Sequence, residues 1–247
     1  MKTFNYHIKA ITNTFKEIFQ GNFILYFIPG IILTIIYYWF LHNASTIVKA
    51  NKLTSEYSWI NWIFEYINYT LIKIFQLFQI ISKQIYIFLI LTIFSPFNTY
   101  LGEKIEEKYT KKKIEGGLSR FIKDILRMIL IVILALILEF FIIIIYWTIS
   151  WIIDLDILDH IIYFCITSFF FGFSFYDFAL ERNKLGVFNS IGFAFSNPLT
   201  MILTGGIFLI LFNIPIIGIP IAPVLTLMIS TFVYLYLKKQ IPYHNNK

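Results

Sequence analysis

Residues 199–237 read LTMILTGGIFLILFNIPIIGIPIAPVLTLMISTFVYLYL, an apolar stretch of 39 residues without a charge. Its middle carries Pro215, Gly218, Pro220 and Pro223 within nine positions, and such a segment interrupts a helix. Each arm is then about 15 residues, or roughly 22 Å of helix, which is shorter than a hydrocarbon core about 30 Å thick. The stretch therefore predicts a proline-tipped hairpin that penetrates the membrane only partly, with its tip held by protein or water.

A second apolar stretch, residues 128–153, is interrupted only by Glu139. An acidic connector follows, and the chain returns as HIIYFCITSFFFGFSFY over residues 160–176. This pattern predicts an antiparallel helical hairpin over residues 128–176. Because the 17-residue return leg is marginal for a full crossing, we predict that this hairpin also penetrates only partly.

Two further stretches predict full transmembrane helices, at about residues 23–41 and 84–101. Pro29-Gly30 in the first span predicts a kink or a displaced helix start, and Ser95-Pro96 in the second predicts a kink or a new helix start. The helical pattern then continues over residues 102–115, which we expect to project into the cytoplasm until Gly116-Gly117 end the helix.

Composition fixes the class of protein. Of 247 residues, 58% are apolar and 14% are charged, and the mean hydropathy is +0.75. Soluble domains average about 25% charged residues, so much of this chain is expected to face a lipid bilayer. We predict an all-α integral membrane protein forming one membrane domain over residues 1–247, and neither a soluble enzyme nor a nucleic-acid-binding protein.

Catalytic and metal-binding patterns are not recognisable in the sequence. Cys165 is a lone cysteine, and the four histidines are scattered singly. Neither a thiolate zinc site nor a histidine pair on one helix face follows from this spacing. We therefore expect no metal, no cofactor and no enzymatic activity.

The distribution of lysine and arginine predicts the orientation. Three lie in residues 1–22, eight in 102–127, two in 177–198 and three after 237, whereas only Lys49, Lys52, Lys73 and Lys83 lie elsewhere. Cytoplasmic connectors of membrane proteins are enriched in basic residues. We therefore predict a multi-pass protein of the cell (inner) membrane with both termini in the cytoplasm.

Three charged residues within or beside the apolar stretches are candidates for function. Glu139 is a carboxylate in a long apolar run, which marks a functional site, bonds a neighbouring helix or is protonated against a wet surface. Asp177 and Arg182 lie five residues apart, and we expect a local ion pair that anchors the loop or, alternatively, part of a vestibule.

Three segments resemble the CysZ-type sulfate permease family, which includes the etoposide-induced membrane proteins. They are SPFNTYLGEKIEE at residues 95–107, FYDFALERNKLGVFNSIGFAFSNP at 175–198 and NIPIIGIPIAP at 213–223. The resemblance implies two full spans, two partly penetrating hairpins and a homo-oligomer. It also implies passage of sulfate or another small anion.

Sulfate-carrying members of that family hold the anion with a Gly-Leu-Arg motif at the start of the first span. The corresponding residues here are Gly21, Asn22 and Phe23, so the glycine is kept and the arginine is absent. These residues are the anion-binding candidates that the resemblance implies. A membrane scaffold or lipid-interacting protein that transports nothing is the alternative function.

Overall fold

The structure is a computed structural model that describes residues 2–20, 23–50, 57, 67, 69, 87, 91–111, 118–152 and 156–242. The regular elements in these ranges are all helical, as predicted. They are α1 (Lys2–Gln20), a short 3-10 helix (Phe23–Phe27), α2 (Ile28–Ala50), α3 (described over 91–110), α4 (Leu118–Ile152), α5 (Asp156–Arg182), α6 (Val187–Ser196), α7 (Pro198–Phe212) and α8 (Gly218–Leu237).

Several of the helices are long and apolar enough to cross a membrane. Among the described residues, Ile122–Ser150 of α4, Leu158–Arg182 of α5 and Gly218–Leu237 of α8 meet this criterion singly. Two bent pairs meet it together, α1 with Phe23–Trp39 and α6 with α7, with bends of 107° and 94°. Length and composition thus allow three to five crossings, which is consistent with a membrane protein.

The centre of the molecule is α8, which is buried over nearly its whole length and contacts α1, α2, α5 and α7. By contrast, α4 exposes large apolar side chains along much of its length. Contact with water is unfavourable for such a surface, whereas contact with lipid acyl chains is favourable. The fold therefore consists of a protein-packed core around α8 and an apolar outer surface on α4.

Helices α5 and α7 cross at very close range. A Cβ atom on Gly172 would lie 2.7 Å from the carbonyl carbon of Met201, and one on Gly205 would lie 2.6 Å from that of Ser168. Each helix thus contributes a pair of residues four positions apart, with glycine where the other backbone approaches. A glycine at the point of closest approach allows membrane helices to pack backbone to backbone.

The hairpin over residues 128–176 corresponds to the antiparallel helices α4 and α5, which are longer than predicted. The 35 residues of α4 and 27 of α5 give roughly 52 Å and 40 Å of helix at about 1.5 Å per residue. Both α4 and α5 continue beyond the apolar run into polar segments, because helical hydrogen bonding does not require apolar side chains. The marginal length inferred for the return leg was therefore an underestimate.

The tip of the proline-containing hairpin is shorter than predicted. The turn covers Asn213–Ile217 and contains Pro215, whereas Gly218, Pro220 and Pro223 lie in the first turns of α8. Pro220 is tolerated because the first turn of a helix has N–H groups without intrahelical partners, but Pro223 removes a helical hydrogen bond. The arms are consequently unequal, with 15 residues in α7 and 20 in α8.

The two predicted full spans differ from expectation at their ends. Helix α2 begins at Ile28 after the 3-10 helix, so Pro29-Gly30 mark a displaced helix start. In α3 the helix runs through Pro96, so no new helix begins there, and residues 84–86 and 88–90 lie outside the described residues.

The extension predicted over residues 102–115 is described only as far as Lys111, because residues 112–115 lie outside the described residues. The helix ends at residue 110, because Lys111 adopts a left-handed conformation with φ 59°. In addition, Gly102, Glu103, Ile105 and Glu106 are buried in protein, so this segment does not simply project into water. Only Lys104 and Lys108 are exposed between residues 101 and 110.

Candidate functional site

One face of α3 carries buried polar residues at helical spacing. We call the polar residues Ser95, Asn98, Thr99, Glu103 and Glu106, together with Gly102 between them, the α3 polar face, and all six are buried. Spacings of three and four residues place them on the same side of a helix. Burial of so many polar groups is costly unless partners or water satisfy them, so this face is a candidate site.

The guanidinium of Arg182 meets the α3 polar face. Arg182 is the last residue of α5, and its side chain has 0% exposure. Its Nε donates to Oε2 of Glu106 at 3.0 Å, and its Nη2 donates to the hydroxyl of Thr231 in α8 at 3.3 Å. Arg182 therefore joins α3, α5 and α8 in one buried cluster, which we call the Arg182 cluster.

The guanidinium is incompletely satisfied. Among the described residues, neither Nη1 of Arg182 nor Nδ2 of Asn98 has a hydrogen-bond partner, and both atoms are buried. Asn98 lies one helical turn before Gly102, the residue against which Arg182 packs. Two N–H donors thus remain on one side of α3, and such donors suit an anion.

Hydroxyl groups extend this set of polar atoms. The hydroxyl oxygens of Ser95 and Thr99 are buried and have no partner among the residues that the structure describes. Leaving such an atom unsatisfied costs about 1–3 kcal/mol. A hydrated or polar ligand beside α3 would recover that free energy.

At the end of α3, a second cluster connects it to α1. The carboxylate of Glu17 accepts hydrogen bonds from Nζ of Lys108 at 2.7 Å and from the hydroxyl of Tyr109 at 2.8 Å. Burial, together with this carboxylate, raises the pKa of Tyr109. We call Glu17, Lys108 and Tyr109 the Glu17 cluster, and it fixes α1 across the end of α3.

The predicted ion pair between Asp177 and Arg182 is not formed. Asp177 instead accepts two hydrogen bonds from Arg127 of α4, from Nε at 2.9 Å and from Nη2 at 2.8 Å. Arg127 also donates to the carbonyl of Leu185 and the hydroxyl of Ser190. A separation of five residues places two side chains about 140° apart on a helix, so each finds its partner on a different neighbour.

Glu139 bonds a neighbouring helix, which was one of the expectations for it. The hydroxyl of Thr167 in α5 donates to Oε1 of Glu139 at 2.9 Å. Oε2 is buried and without a partner within the described ranges. Glu139 therefore contributes to the contact between α4 and α5 and lies apart from the Arg182 cluster in the hydrogen-bond network.

The anion-binding candidates suggested by the family resemblance are only partly described. Gly21 and Asn22 lie outside the described residues. Phe23 is buried at the start of the 3-10 helix, and its ring centroid lies 5.8 Å from that of Tyr26. An aromatic ring packed in this way offers no donor to an anion.

Gly218 packs within the hairpin, against the end of α7, whereas Pro220 packs against α2. A Cβ on Gly218 would lie 2.6 Å from the carbonyl oxygen of Phe212, and one on Gly30 would lie 2.6 Å from the Cα of Pro220. The hairpin therefore lies against the start of α2. Over the described residues, no group of three or more His, Cys, Asp or Glu side chains is placed to hold a metal ion.

No protein-family model matches the chain, and no curated protein matches it. The resemblance to the sulfate permease family therefore stays a prediction. Within the stretch that carries it, Glu106 and Asn98 are the residues that sequence reasoning missed. The signal that would have found them is the spacing of polar residues at positions 95, 98, 99, 103 and 106.

Proposed function

We propose that this protein passes a small anion, such as sulfate, across the inner membrane. The observation that carries the proposal is the fully buried guanidinium of Arg182 beside the α3 polar face. A charged group among membrane-embedded helices is costly and typically marks the path of a substrate or ion. The donors left on Arg182 and Asn98 favour an anion as that substrate.

In this proposal Glu106 serves as an internal anion for Arg182. Glu106 accepts a hydrogen bond only from Nε of Arg182. The strongest arginine–carboxylate pairs have two parallel hydrogen bonds instead. A permeating anion first meets Nη1 and then competes with Glu106 for the guanidinium. Hydroxyl and amide groups along α3 replace part of the hydration shell that the anion leaves behind, as polar linings do in channels.

We further propose two full spans, over about residues 23–41 and 84–101, a hairpin over 128–176 whose connector reaches the outer face, and a hairpin over 199–237 that penetrates only partly. The 15-residue length of α7 and its sharp bend from α6 support this for the second hairpin. The lengths of α4 and α5 are sufficient for complete crossings, which supports a connector at the outer face.

The distribution of basic residues supports a cytoplasmic location for both termini. The test uses a Cys165→Ser background with Ser119→Cys or Asp156→Cys, treated in intact cells with a membrane-impermeant maleimide. We expect labelling at position 156 and not at 119. The reverse pattern would overturn the orientation.

A homo-oligomer is also part of the proposal. The exposed apolar side chains of α4 give a surface that a second copy could share with lipid. Cross-linking in native membranes at cysteines placed on α4 would detect that contact. Only monomer after efficient cross-linking would argue against it.

The transport proposal is tested by flux in proteoliposomes. Purified protein is reconstituted, and uptake of labelled sulfate, chloride and glycerol is compared with that of protein-free vesicles. We expect anion uptake that Asn98→Ala reduces, because this change removes a donor and keeps the ion pair. The matched control is Lys104→Gln, an exposed charge on the same helix. Anion uptake equal to that of protein-free vesicles would overturn the proposal.

One observation favours the alternative, a scaffold or lipid-interacting protein without transport. Phe23 occupies the position of the family's arginine and is buried against Tyr26. If the reconstituted, folded protein carries neither anions nor glycerol, this second function is preferred.

A further inference from the structure

Helix α1 has three distinct faces, and one of them packs against the protein. The buried residues His7, Ala10, Thr14, Glu17 and Ile18 form this face. His7 Nε2 lies 2.8 Å from the hydroxyl of Thr204 in α7, and the amide of Asn13 donates to the hydroxyl of Tyr236 in α8 at 2.6 Å. These contacts fix the rotation of α1 about its own axis.

A second face of α1 is apolar and exposed. Phe4, Ile8, Phe15 and Phe19 have exposures of 57%, 50%, 47% and 79%. At about 100° per residue these four side chains fall within one stripe of about 60°, roughly 110° from the protein-facing side. Four large apolar side chains in one exposed stripe are typical of a helix lying in a membrane interface.

The third face is polar and basic. Lys2, Asn5, Thr12, Lys16 and Gln20 are exposed, and they follow the apolar stripe by roughly 100° around the helix. The acid of α1, Glu17, points inward to Lys108 and Tyr109. The outward-facing charge of α1 is consequently positive.

The bend after α1 sets its direction relative to the membrane. α1 makes an angle of 107° with Phe23–Trp39. This segment exposes large apolar residues, among them Ile24, Leu25 and Ile35. A segment of this kind crosses the bilayer or enters it steeply, so α1 lies nearly parallel to the membrane surface.

We propose that α1 lies in the headgroup layer and binds anionic phospholipid, with the phenylalanine-rich stripe among acyl chains and Lys2 and Lys16 at the phosphates. Basic residues beside an interfacial apolar stripe favour anionic lipid. A second copy of the chain is a poorer occupant, because a symmetric contact would bring the same lysines together. This inference does not depend on transport.

The first experiment locates the faces of α1 in the full-length protein. In a Cys165→Ser background, spin labels are placed one at a time at Ile8→Cys, Phe15→Cys, Asn5→Cys and Thr12→Cys. Each protein is reconstituted in phosphatidylcholine vesicles that contain about one third phosphatidylglycerol. We expect labels at 8 and 15 to collide with oxygen and those at 5 and 12 with a water-soluble nickel complex. Nickel access at 8 and 15, or protection from both reagents through a protein contact, would overturn the proposal.

The second experiment tests the choice of lipid. A bimane fluorophore at Ile8→Cys is quenched by spin-labelled phosphatidylglycerol or by spin-labelled phosphatidylcholine. Each basic residue near an anionic surface changes binding by about fivefold, so we expect clearly stronger quenching by phosphatidylglycerol. Lys2→Gln with Lys16→Gln should remove this preference, whereas Lys184→Gln in the exposed turn after α5 should leave it. Equal quenching by both lipids in the unchanged protein would show an interfacial helix without anionic preference and overturn the lipid assignment.

Discussion

Gly102 provides the space that the guanidinium of Arg182 occupies. A Cβ at Gly102 would lie 2.8 Å from Cζ of Arg182, closer than real Cβ contacts allow. Since the buried guanidinium is bonded to Glu106 and Thr231, a shift that relieves the overlap would disturb those hydrogen bonds. The identity of residue 102 therefore controls the geometry of the ion pair with Glu106.

Gly102→Ala is expected to destabilise the protein by about 1–3 kcal/mol, the usual cost of overpacking a core, and to lower anion flux. Gly192→Ala is the matched control, because a Cβ there meets nothing within 4 Å. Replacing glycine within a helix by alanine is otherwise stabilising by about 0.5–1 kcal/mol. Thermal unfolding in detergent measures both changes. Equal unfolding temperatures for the two variants would contradict this account of Gly102.

The Arg182–Glu106 pair should show strong coupling. Removing one partner leaves an uncompensated buried charge and costs about 3–5 kcal/mol. Arg182→Gln and Glu106→Gln should therefore each be more destabilising than the double substitution, as measured by thermal unfolding.

The exposed pair Lys104 and Glu107 serves as the control cycle, since its side chains are 45% and 28% exposed. Exposed pairs contribute about 0–1 kcal/mol to stability. The destabilisations caused by Lys104→Gln and Glu107→Gln should therefore nearly add up in the double substitution. If the effects of Arg182→Gln and Glu106→Gln also simply add up in their double substitution, the buried contact is not energetically important.

Sequence reasoning identified Arg182 but assigned it the wrong partner. Asp177 was near in sequence, whereas Glu106 comes from a helix that only the tertiary fold brings close. The signal for Glu106 was present as periodic polar residues in α3, but a charged segment after an apolar span also fits a helix leaving the membrane. Spacing alone does not distinguish a buried polar face from a solvated one.

The helical class and both hairpins were predictable because long uncharged runs leave few alternatives. The ends of the helices were less predictable. Lys111 ends α3 in a conformation that a glycine usually adopts, although Gly116-Gly117 gave the obvious signal. Pro223 lies inside α8 because burial along that helix outweighs one lost hydrogen bond.

The crossing of α5 and α7 predicts a sharp difference between two adjacent glycines. Gly205→Ala would place a Cβ 2.6 Å from the carbonyl carbon of Ser168, so the two backbones must separate. Gly206→Ala would lie 3.5 Å from the Phe164 ring, an ordinary contact. We expect Gly205→Ala to lose about 3 kcal/mol or the folded yield, while Gly206→Ala stays near the unchanged protein.

Both glycine variants are read out by monodisperse yield and by unfolding temperature. An equal effect of the two substitutions would mean that α5 and α7 are not held at backbone contact. Both positions lie in the same helix and undergo the same change in helix propensity. The difference between the two variants therefore measures the effect of the close contact between α5 and α7.

Tyr109→Phe should weaken the attachment of α1 to α3 by about 1.5 kcal/mol, typical of a hydrogen bond to a charged group. Burial and the Glu17 carboxylate raise the pKa of Tyr109 above the usual value near 10. A raised folded pKa gives a stabilising contribution that is complete below about pH 10 and is lost as pH rises through the folded value.

The unfolding temperature of the unchanged protein should therefore exceed that of Tyr109→Phe near neutral pH, and the gap should close at strongly alkaline pH. Tyr38→Phe, at an exposed position on α2, is the control and should show no gap. A gap for Tyr109→Phe that persists unchanged through the alkaline range would contradict the assigned role of its hydroxyl.

The contacts of α1 also order events during biosynthesis. Its partners Thr204 and Tyr236 follow His7 and Asn13 by 197 and 223 residues. Until the ribosome has made α7 and α8, the inward face of α1 has neither of them. An interfacial stripe that holds the helix at the bilayer surface in the meantime would keep it beside the place where α8 later inserts, and would spare it from chaperones and proteases.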